Sequence, residues 1–306
     1  MFDRALSFIF KPVLTYLYSN KEFCLSLYEP TAMMRFLAQK FPEVNLLISS
    51  LAKSGRLELL TGTYNQNVLT LMQPKDRSLA IEKTTTLIRR LYSYRASTYF
   101  SYGQIWTPSV ISTLSKTDIS RTVISGYDAV SKSVIHTSPF TMNDLGKKVD
   151  VLPFNDECAK LVSSYGQNEI SLTDLISSLQ KIIKKNTAQD LILMINVDHL
   201  CQGASFHRED DELLKEVFIS IFEGAKSLNY DFTLAKDVSG YNPGCLDEGW
   251  YGRDVYTSSL KSFRQMFVQN GNYRYLLNRA VMLLDEVAKY KKNHDVKREL
   301  QSLPSC

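Results

Sequence analysis

The stretch of the chain with the clearest chemical character is residues 54–74, SGRLELLTGTYNQNVLTLMQP. An apolar, strand-like run carries one carboxylate, Glu58, and leads directly into a loop of aromatic and amide side chains that includes Tyr64. An acid at a strand end beside a flat aromatic ring is suited to binding a pyranose. The alternative for Glu58 is an ion-paired residue at a strand end.

A second strand-like stretch, residues 98–108 or TYFSYGQIWTP, ends at Gly103 and Gln104 and continues to Trp106. Cleavage of a glycosidic bond with retention needs two carboxyl groups about 5 to 5.5 Å apart. This second strand end offers glycine and glutamine where the second carboxylate would be needed. The pair of segments therefore predicts an incomplete sugar site.

Two further residues extend this candidate site. Asp198 follows the apolar run 191–197, LILMINV, where a parallel strand would deliver its carboxyl end to a barrel mouth. An aspartate in that place also suits the cap of a following helix. Trp250, like Tyr64 and Trp106, could stack on a sugar face, and the alternative for such large aromatic side chains is that they fill gaps beneath loops.

The elements that would hold these residues alternate between helical and strand-like patterns, which favours a parallel sheet covered by helices and closed, or nearly closed, into a barrel. The predicted helices are residues 5–18, 31–53, 76–93, 108–116, 171–185 and 209–227, and the predicted strands are residues 23–28, 56–61, 97–102, 121–125, 149–153, 191–197 and 230–234.

The pattern changes after residue 237, which predicts three parts: a barrel over residues 1–237, a glycine-rich loop over 238–256 and a helical segment over 257–306 packed on the barrel. The loop contains Asp247 and Glu248 in the run VSGYNPGCLDEGWYGRD. Loops of this length in a compact domain are commonly functional.

Composition excludes several classes of protein. The formal charge of +4 is mild and the lysine clusters have helical spacing, so we expect no nucleic-acid partner. No run approaches the about 18 apolar residues that span a bilayer, and five scattered cysteines fit reduced thiols, so we expect a cytoplasmic protein. We expect no metal site, because the four histidines form neither HExxH nor HxxxH, although Asp198, His199 and His207 are conceivable ligands.

The segment 54–81 resembles the second signature region of glycoside hydrolase family 57, in which a glycine-flanked strand with a glutamate precedes an aromatic loop, a proline and an acidic-arginine helix start. Residues 149–157, VDVLPFNDE, resemble a later segment of the same family, and LILMINVDHL resembles the strand that delivers its acid/base aspartate, here Asp198. The resemblance implies an incomplete (β/α)7 barrel, action on α-glucans, and no cofactor.

The departures from the family pattern concern the catalytic groups. Aligned by Trp106 and Pro108, the chain has Gly103 at the nucleophilic glutamate and Gln104 at the following arginine. Ser125 and Gly126 stand where the family has an acidic pair. Glycine offers neither a nucleophile nor charge to stabilise an oxocarbenium ion. We therefore lean towards a chain without enzyme activity.

Three functions from different classes remain open. The first is a catalytically silent relative that binds α-glucan or maltooligosaccharide. The second is an active α-1,4-glucan hydrolase or 4-α-glucanotransferase that uses a partner-supplied or displaced carboxylate such as Asp128 or Glu58, or a water activated by Asp198. The third is a scaffold with no carbohydrate ligand.

The family's first strand has no counterpart in this chain. A barrel without one strand leaves an unpaired edge, which must be covered by helices of the chain, by a second copy or by another partner. We expect an open or gapped barrel, and the alternative is that the native chain starts further upstream.

Overall fold

The computed structural model describes residues 2–126, 138–186, 190–238, 242–244 and 249–250, together with the helical pairs 275–276, 279–280 and 282–283. Asp128, Asp247, Glu248 and most of the predicted segments 238–256 and 257–306 lie outside the described residues.

The first helical region contains α1 (Phe2–Ala5), a π-helical turn (Leu6–Phe10) and α2 (Lys11–Ser19), and the other helices carry the crossovers between strands. They are α3 (Thr31–Lys40), α4 (Pro42–Lys53), α5 (Pro74–Tyr92), α6 (Ile111–Lys116), α7 (Asp156–Gly166), α8 (Leu172–Lys185), α9 (Val197–Phe206) and α10 (Leu214–Ser227).

The strands are short and mostly apolar. They are β1 (Leu25–Tyr28), β2 (Leu57–Leu60), β3 (Thr98–Phe100), β4 (Ile105–Trp106), β5 (Arg121–Ser125), β6 (Phe140–Asp144), β7 (Lys147–Phe154), β8 (Asn242–Pro243) and β9 (Gly249–Trp250).

Five strands form a parallel series in the order β1, β2, β3, β5 and β7. β1 pairs with β2, a single bridge from Thr61 to Tyr99 joins β2 to β3, and β5 pairs with both β3 and β7. β6 then adds antiparallel to β7, and β8 adds to β6. The α/β architecture with an incomplete parallel barrel agrees with the sequence prediction.

The alternation of side chains along these strands separates two apolar layers. Leu57 and Leu59 of β2 face the helices and join the largest core cluster, while Leu60 of β2 and Val123 of β5 belong to a separate cluster on the inner face of the curved sheet. A second outer cluster forms around Trp106.

The structure corrects three predicted elements. The single helix expected over 31–53 is broken between α3 and α4 at Phe41, whose φ of −138° and ψ of 62° lie outside the helical region that Pro42 disfavours for the residue before it. Residues 191–197 form no strand: the segment is held against the start of α7, where the Asn155 N–H donates to the Ile192 carbonyl at 2.7 Å. Residues 230–234 form no strand either.

The outer edge of β1 has no strand beside it among the described residues. In the described part of the chain, β1 has β2 as its ladder partner and no other. Residues 235 and 236 approach it instead, with the Ala235 N–H donating to Ser26 Oγ at 3.1 Å. Within the described residues, the sheet therefore does not close through a continuous hydrogen-bonded ladder.

No helix among the described residues has the length and apolarity required to cross a membrane. The same part of the chain contains no cluster of three or more histidine, cysteine, aspartate or glutamate side chains that could hold a metal ion. Cys24, Cys158 and Cys201 are free thiols.

Candidate functional site

The carboxyl ends of the parallel strands meet at one edge of the sheet and present polar residues there. β2 is followed by Thr61, β3 by Ser101 and β7 by Asn155, while β5 ends in Ser125. In parallel α/β folds this edge carries the functional groups. It is therefore the candidate site.

Gly103 lies in the turn that follows β3. Its φ is +69° and its ψ is 0°, a left-handed conformation that glycine adopts without steric cost. A Cβ at this position would lie 3.6 Å from the nearest side-chain atom, Cδ1 of Ile105, which is an ordinary van der Waals contact. The backbone conformation, and not lack of space, therefore favours glycine here.

Gln104 is buried and also has positive φ, 54°. Its Nε2 donates to the Ser101 carbonyl at 2.8 Å, and its Oε1 accepts the Ser125 N–H at 3.1 Å. The amide thus fastens the turn after β3 to the end of β5.

Asp156 extends this connection to the next strand end. The Ser125 hydroxyl donates to Asp156 Oδ1 at 2.8 Å, and Asp156 occupies the first turn of α7 behind the N-cap Asn155. This half-buried carboxylate is linked by hydrogen bonds through Ser125 and Gln104 to the Gly103 turn. Sequence reasoning missed Asp156, although the run NDE directly after an apolar strand was a usable signal.

Glu58 lies inside the sheet and is fully buried. Its Oε1 accepts the Thr98 hydroxyl at 2.5 Å, and its Oε2 accepts the Ser26 hydroxyl at 2.8 Å and the Lys236 backbone N–H at 2.9 Å. Three donors from β1, β3 and the segment after α10 thus converge on one carboxylate. This arrangement ties the strands together on the inner face.

Glu29, which the sequence did not single out, follows β1 directly and is also fully buried. Its Oε2 accepts the Tyr92 hydroxyl at 2.8 Å, while no described group pairs with Oε1. Burial in this apolar setting raises the pKa of Glu29 to about 7, against a lowering effect of the Tyr92 hydrogen bond.

Tyr64 lies half-buried in the loop after β2, beside two cationic side chains. Arg35 of α3 donates to the Tyr64 hydroxyl, and its guanidinium carbon lies 5.2 Å from the ring centroid. Lys83 Nζ of α5 lies 6.0 Å from the same centroid. The ring therefore makes cation–π contacts within the chain.

Trp106 is fully buried in the second outer cluster, and its Nε1 has no hydrogen-bond partner among the described groups. In this placement the indole presents no face to a ligand. Trp250 lies in β9, whose backbone pairs antiparallel with β4, and its side chain is outside the described residues.

Asp198 is exposed in the first turn of α9, where its N–H donates to Oδ1 of the N-cap Asn196 at 2.9 Å. The next residue, His199, packs against Gly166 at the end of α7: a Cβ on Gly166 would lie 3.0 Å from the His199 Cβ. Ten residues of helix separate Gly166 from Asp156, which is about 15 Å along the axis. The structure therefore places Asp198 near the far end of α7, away from the strand ends, and does not bring it together with Glu58 and Gly103.

Comparison with known proteins shows the family of the chain. The model of glycosyl hydrolase family 57 matches residues 7–213, more than half of the chain. The chain belongs to glycosyl hydrolase family 57.

The 4-alpha-glucanotransferase of Thermococcus litoralis is similar to this family 57 chain at 22% identity over 165 residues, which cover 53% of this chain and 25% of that protein. The crystal structure of a 4-alpha-glucanotransferase from Thermococcus litoralis superposes with a TM-score of 0.60 at 18% identity, covering 77% of this chain and 35% of that one. A branching enzyme of the same family from Pyrococcus horikoshii superposes with a TM-score of 0.61 at 10% identity, covering 81% and 68%. At these identities, the structural likenesses show a common fold.

Proposed function

We propose that this family 57 chain binds an α-glucan or maltooligosaccharide at the carboxyl edge of its strands and does not cleave it. The proposal is carried by the turn after β3, which holds Gly103 and Gln104 and no carboxylate, and where we infer from the sequence resemblance that these two residues replace the family's nucleophile and the residue after it. Similarity to relatives named 4-alpha-glucanotransferase and alpha-amylase supports the ligand class.

The hydrogen bonding, burial and position of the chain's carboxyl groups support a site that does not cleave glucan. Glu58 has both oxygens engaged by three donors in the interior, and Glu29 is sealed beside Tyr92. Asp198 lies towards the far end of α7. A retaining mechanism needs one carboxylate to attack the anomeric carbon and a second, protonated carboxyl group to release the leaving oxygen.

Calorimetry and turnover assays on the purified chain test the proposal together. We expect binding heat with millimolar maltoheptaose, and no release of reducing sugar or disproportionation of maltoheptaose over hours. Turnover that Asp198→Asn abolishes would overturn the non-cleaving part. Absence of heat with both maltoheptaose and glycogen would favour a scaffold without a carbohydrate ligand.

A second candidate function, cleavage by a displaced carboxylate, has one observation in its favour. Asp156 is half-buried and connected through Ser125 and Gln104 to the Gly103 turn. If the chain turns over glucan, loss of activity in Asp156→Asn with retained activity in Glu157→Gln, its exposed neighbour, would assign the reaction to Asp156.

The proposal extends to the compartment in which the protein works and to its assembly with other chains. The free thiols of Cys24, Cys158 and Cys201 support a reducing compartment such as the cytoplasm. The outer edge of β1 suits a second copy of the chain or another partner, which analytical ultracentrifugation would detect.

A further inference from the structure

Two aromatic side chains stack where β1 and β3 end on the inner face of the sheet, and a third aromatic residue follows in the turn after β3. Tyr28 is the last residue of β1 and Phe100 the last of β3, and their rings stack with centroids 4.7 Å apart and planes inclined by 27°. Tyr102 follows two residues after Phe100, and its side chain is 39% exposed. We call Tyr28, Phe100 and Tyr102 the aromatic wall.

Gly62 makes room for this wall at the end of β2. A Cβ on Gly62 would lie 2.7 Å from Cε2 of Tyr28 and 3.0 Å from its hydroxyl oxygen. The Tyr28 ring therefore lies directly across the backbone of the neighbouring strand end. A side chain at position 62 would force either the Tyr28 ring or the backbone at the end of β2 to shift.

The inner layer to which the wall belongs is incompletely sealed. Among the described residues, Tyr28 and Phe100 are half-buried members of the inner cluster, as are Ile192, Met194 and Ala235. The second outer cluster has only Met72 as a half-buried member in the same part of the chain. The inner cluster thus keeps partly accessible apolar side chains at the carboxyl ends of β1 and β3, the end of the strands at which parallel barrels bind ligands.

Neutral polar groups accompany the rings. The Gln66 side chain hydrogen-bonds the Tyr28 hydroxyl, and burial raises the pKa of this phenol still further above neutral pH. Tyr102 lies near enough to contribute to that pKa shift through its own phenol. Flat rings that carry hydroxyl groups, next to amides, match the C–H faces and hydroxyl edges of an uncharged sugar.

We propose that the aromatic wall is the stacking surface for a pyranose ring of the bound glucan, with Tyr102 as its most accessible part. This inference rests on the proposed glucan binding and deepens it, because it assigns recognition to residues of β1, β3 and the turn after β3, and not to Tyr64, Trp106 or Trp250. The sugar is held by ring stacking and neutral hydrogen bonds.

Calorimetry with maltoheptaose tests the wall through matched tyrosine variants. Tyr102→Ala should weaken binding about three- to tenfold, the usual range for loss of one aromatic contact. Tyr102→Phe keeps the ring and should stay within about twofold of wild type. Tyr18→Ala, a control at a 55% exposed tyrosine on α2, should bind like wild type.

Phe100→Leu provides a second variant within the wall, with thermal unfolding and near-UV circular dichroism to check that it is folded. If wild type binds while Tyr102→Ala and folded Phe100→Leu bind equally well, the wall is overturned and glucan binding stands. If wild type shows no heat with maltoheptaose, glucan binding and the wall are overturned together. The wild-type isotherm therefore distinguishes the two failures.

Discussion

The hydroxyl of Tyr92 donates to Oε2 of Glu29 at 2.8 Å, in an interior where the carboxyl group has no contact with solvent. Tyr92 is the last residue of α5 and Glu29 follows β1, so this hydrogen bond joins a helix end to a strand end. A carboxyl group in such a place is more stable protonated than charged.

Glu29 should make the stability of the protein depend on pH. Its pKa is about 7 in the folded protein and 4.5 without burial, so between these values the folded state holds a proton that the unfolded state has lost. The contribution of neutral Glu29 is therefore complete below pH 4.5 and is lost as the pH rises to 7. The loss amounts to about 3 kcal/mol at most.

Urea unfolding of wild type and Glu29→Gln from pH 4.5 to 8 measures this contribution. We expect the variant to gain stability relative to wild type as the pH rises. Glu82→Gln, at an exposed glutamate of α5, should follow the wild-type curve. Parallel curves for Glu29→Gln and wild type would contradict the assignment.

Replacing Glu58 should destabilise the fold strongly. Glu58→Ala leaves the Ser26 and Thr98 hydroxyls and the Lys236 N–H without their shared acceptor, and we expect a loss of about 3 to 5 kcal/mol in the free energy of unfolding. Chemical denaturation measures the loss. Glu82→Ala, the exposed control, should change stability by less than about 0.5 kcal/mol. A similarly small change for Glu58→Ala would show that the three hydrogen bonds contribute little.

Glycines 203 and 224 should respond in opposite directions to alanine. A Cβ on Gly203 of α9 would lie 2.4 Å from Cε1 of Tyr165 and 2.7 Å from its carbonyl oxygen, so Gly203→Ala should cost about 1 to 3 kcal/mol by pushing α9 from α7. A Cβ on Gly224 of α10 would meet nothing closer than 3.9 Å. Gly224→Ala should stabilise the helix by up to about 1 kcal/mol. Equal shifts in melting temperature would refute the close approach of α7 and α9.

Gly103→Ala should cost about 1 kcal/mol, because alanine disfavours the left-handed conformation while the surroundings have room for a methyl group. Gly55→Ala is the matched control, with φ of +72° and open space around it. Guanidinium unfolding should give similar losses for both. A much larger loss at position 103 would mean that packing, and not backbone conformation, selects glycine there.

The alternation of helical and strand-like patterns was sufficient to predict the parallel strands, because each strand is a short apolar run between amphipathic helices. The hairpin of β6 and β7 was missed: FTMND carries no strong strand pattern, and its turn depends on positive φ at Leu145 and Gly146, 47° and 76°. The run 191–197 is as apolar as a strand, but strand formation requires a neighbour that sequence periodicity does not specify.

The candidate site was predictable only in part, because its residues meet through contacts between distant parts of the chain. Glu58 was recognisable as a carboxylate in an apolar strand, but its partners lie 32, 40 and 178 residues away along the chain. Glu29 carries no local signal, since its burial results from the packing of α5. The aromatic wall combines residues at and after the ends of β1 and β3, two strands that lie on either side of β2 only in the folded sheet.

The Lys236 N–H that completes the hydrogen bonding of Glu58 affects how the chain folds during its synthesis. Each parallel strand pairs with a strand synthesised shortly before it, so most of the sheet can assemble in step with the ribosome. The carboxylate on β2, however, keeps an unfilled acceptor position until residue 236 emerges, 178 residues later. Nascent chains that stop short of this point should therefore be more vulnerable to proteases than their extensive sheet would suggest.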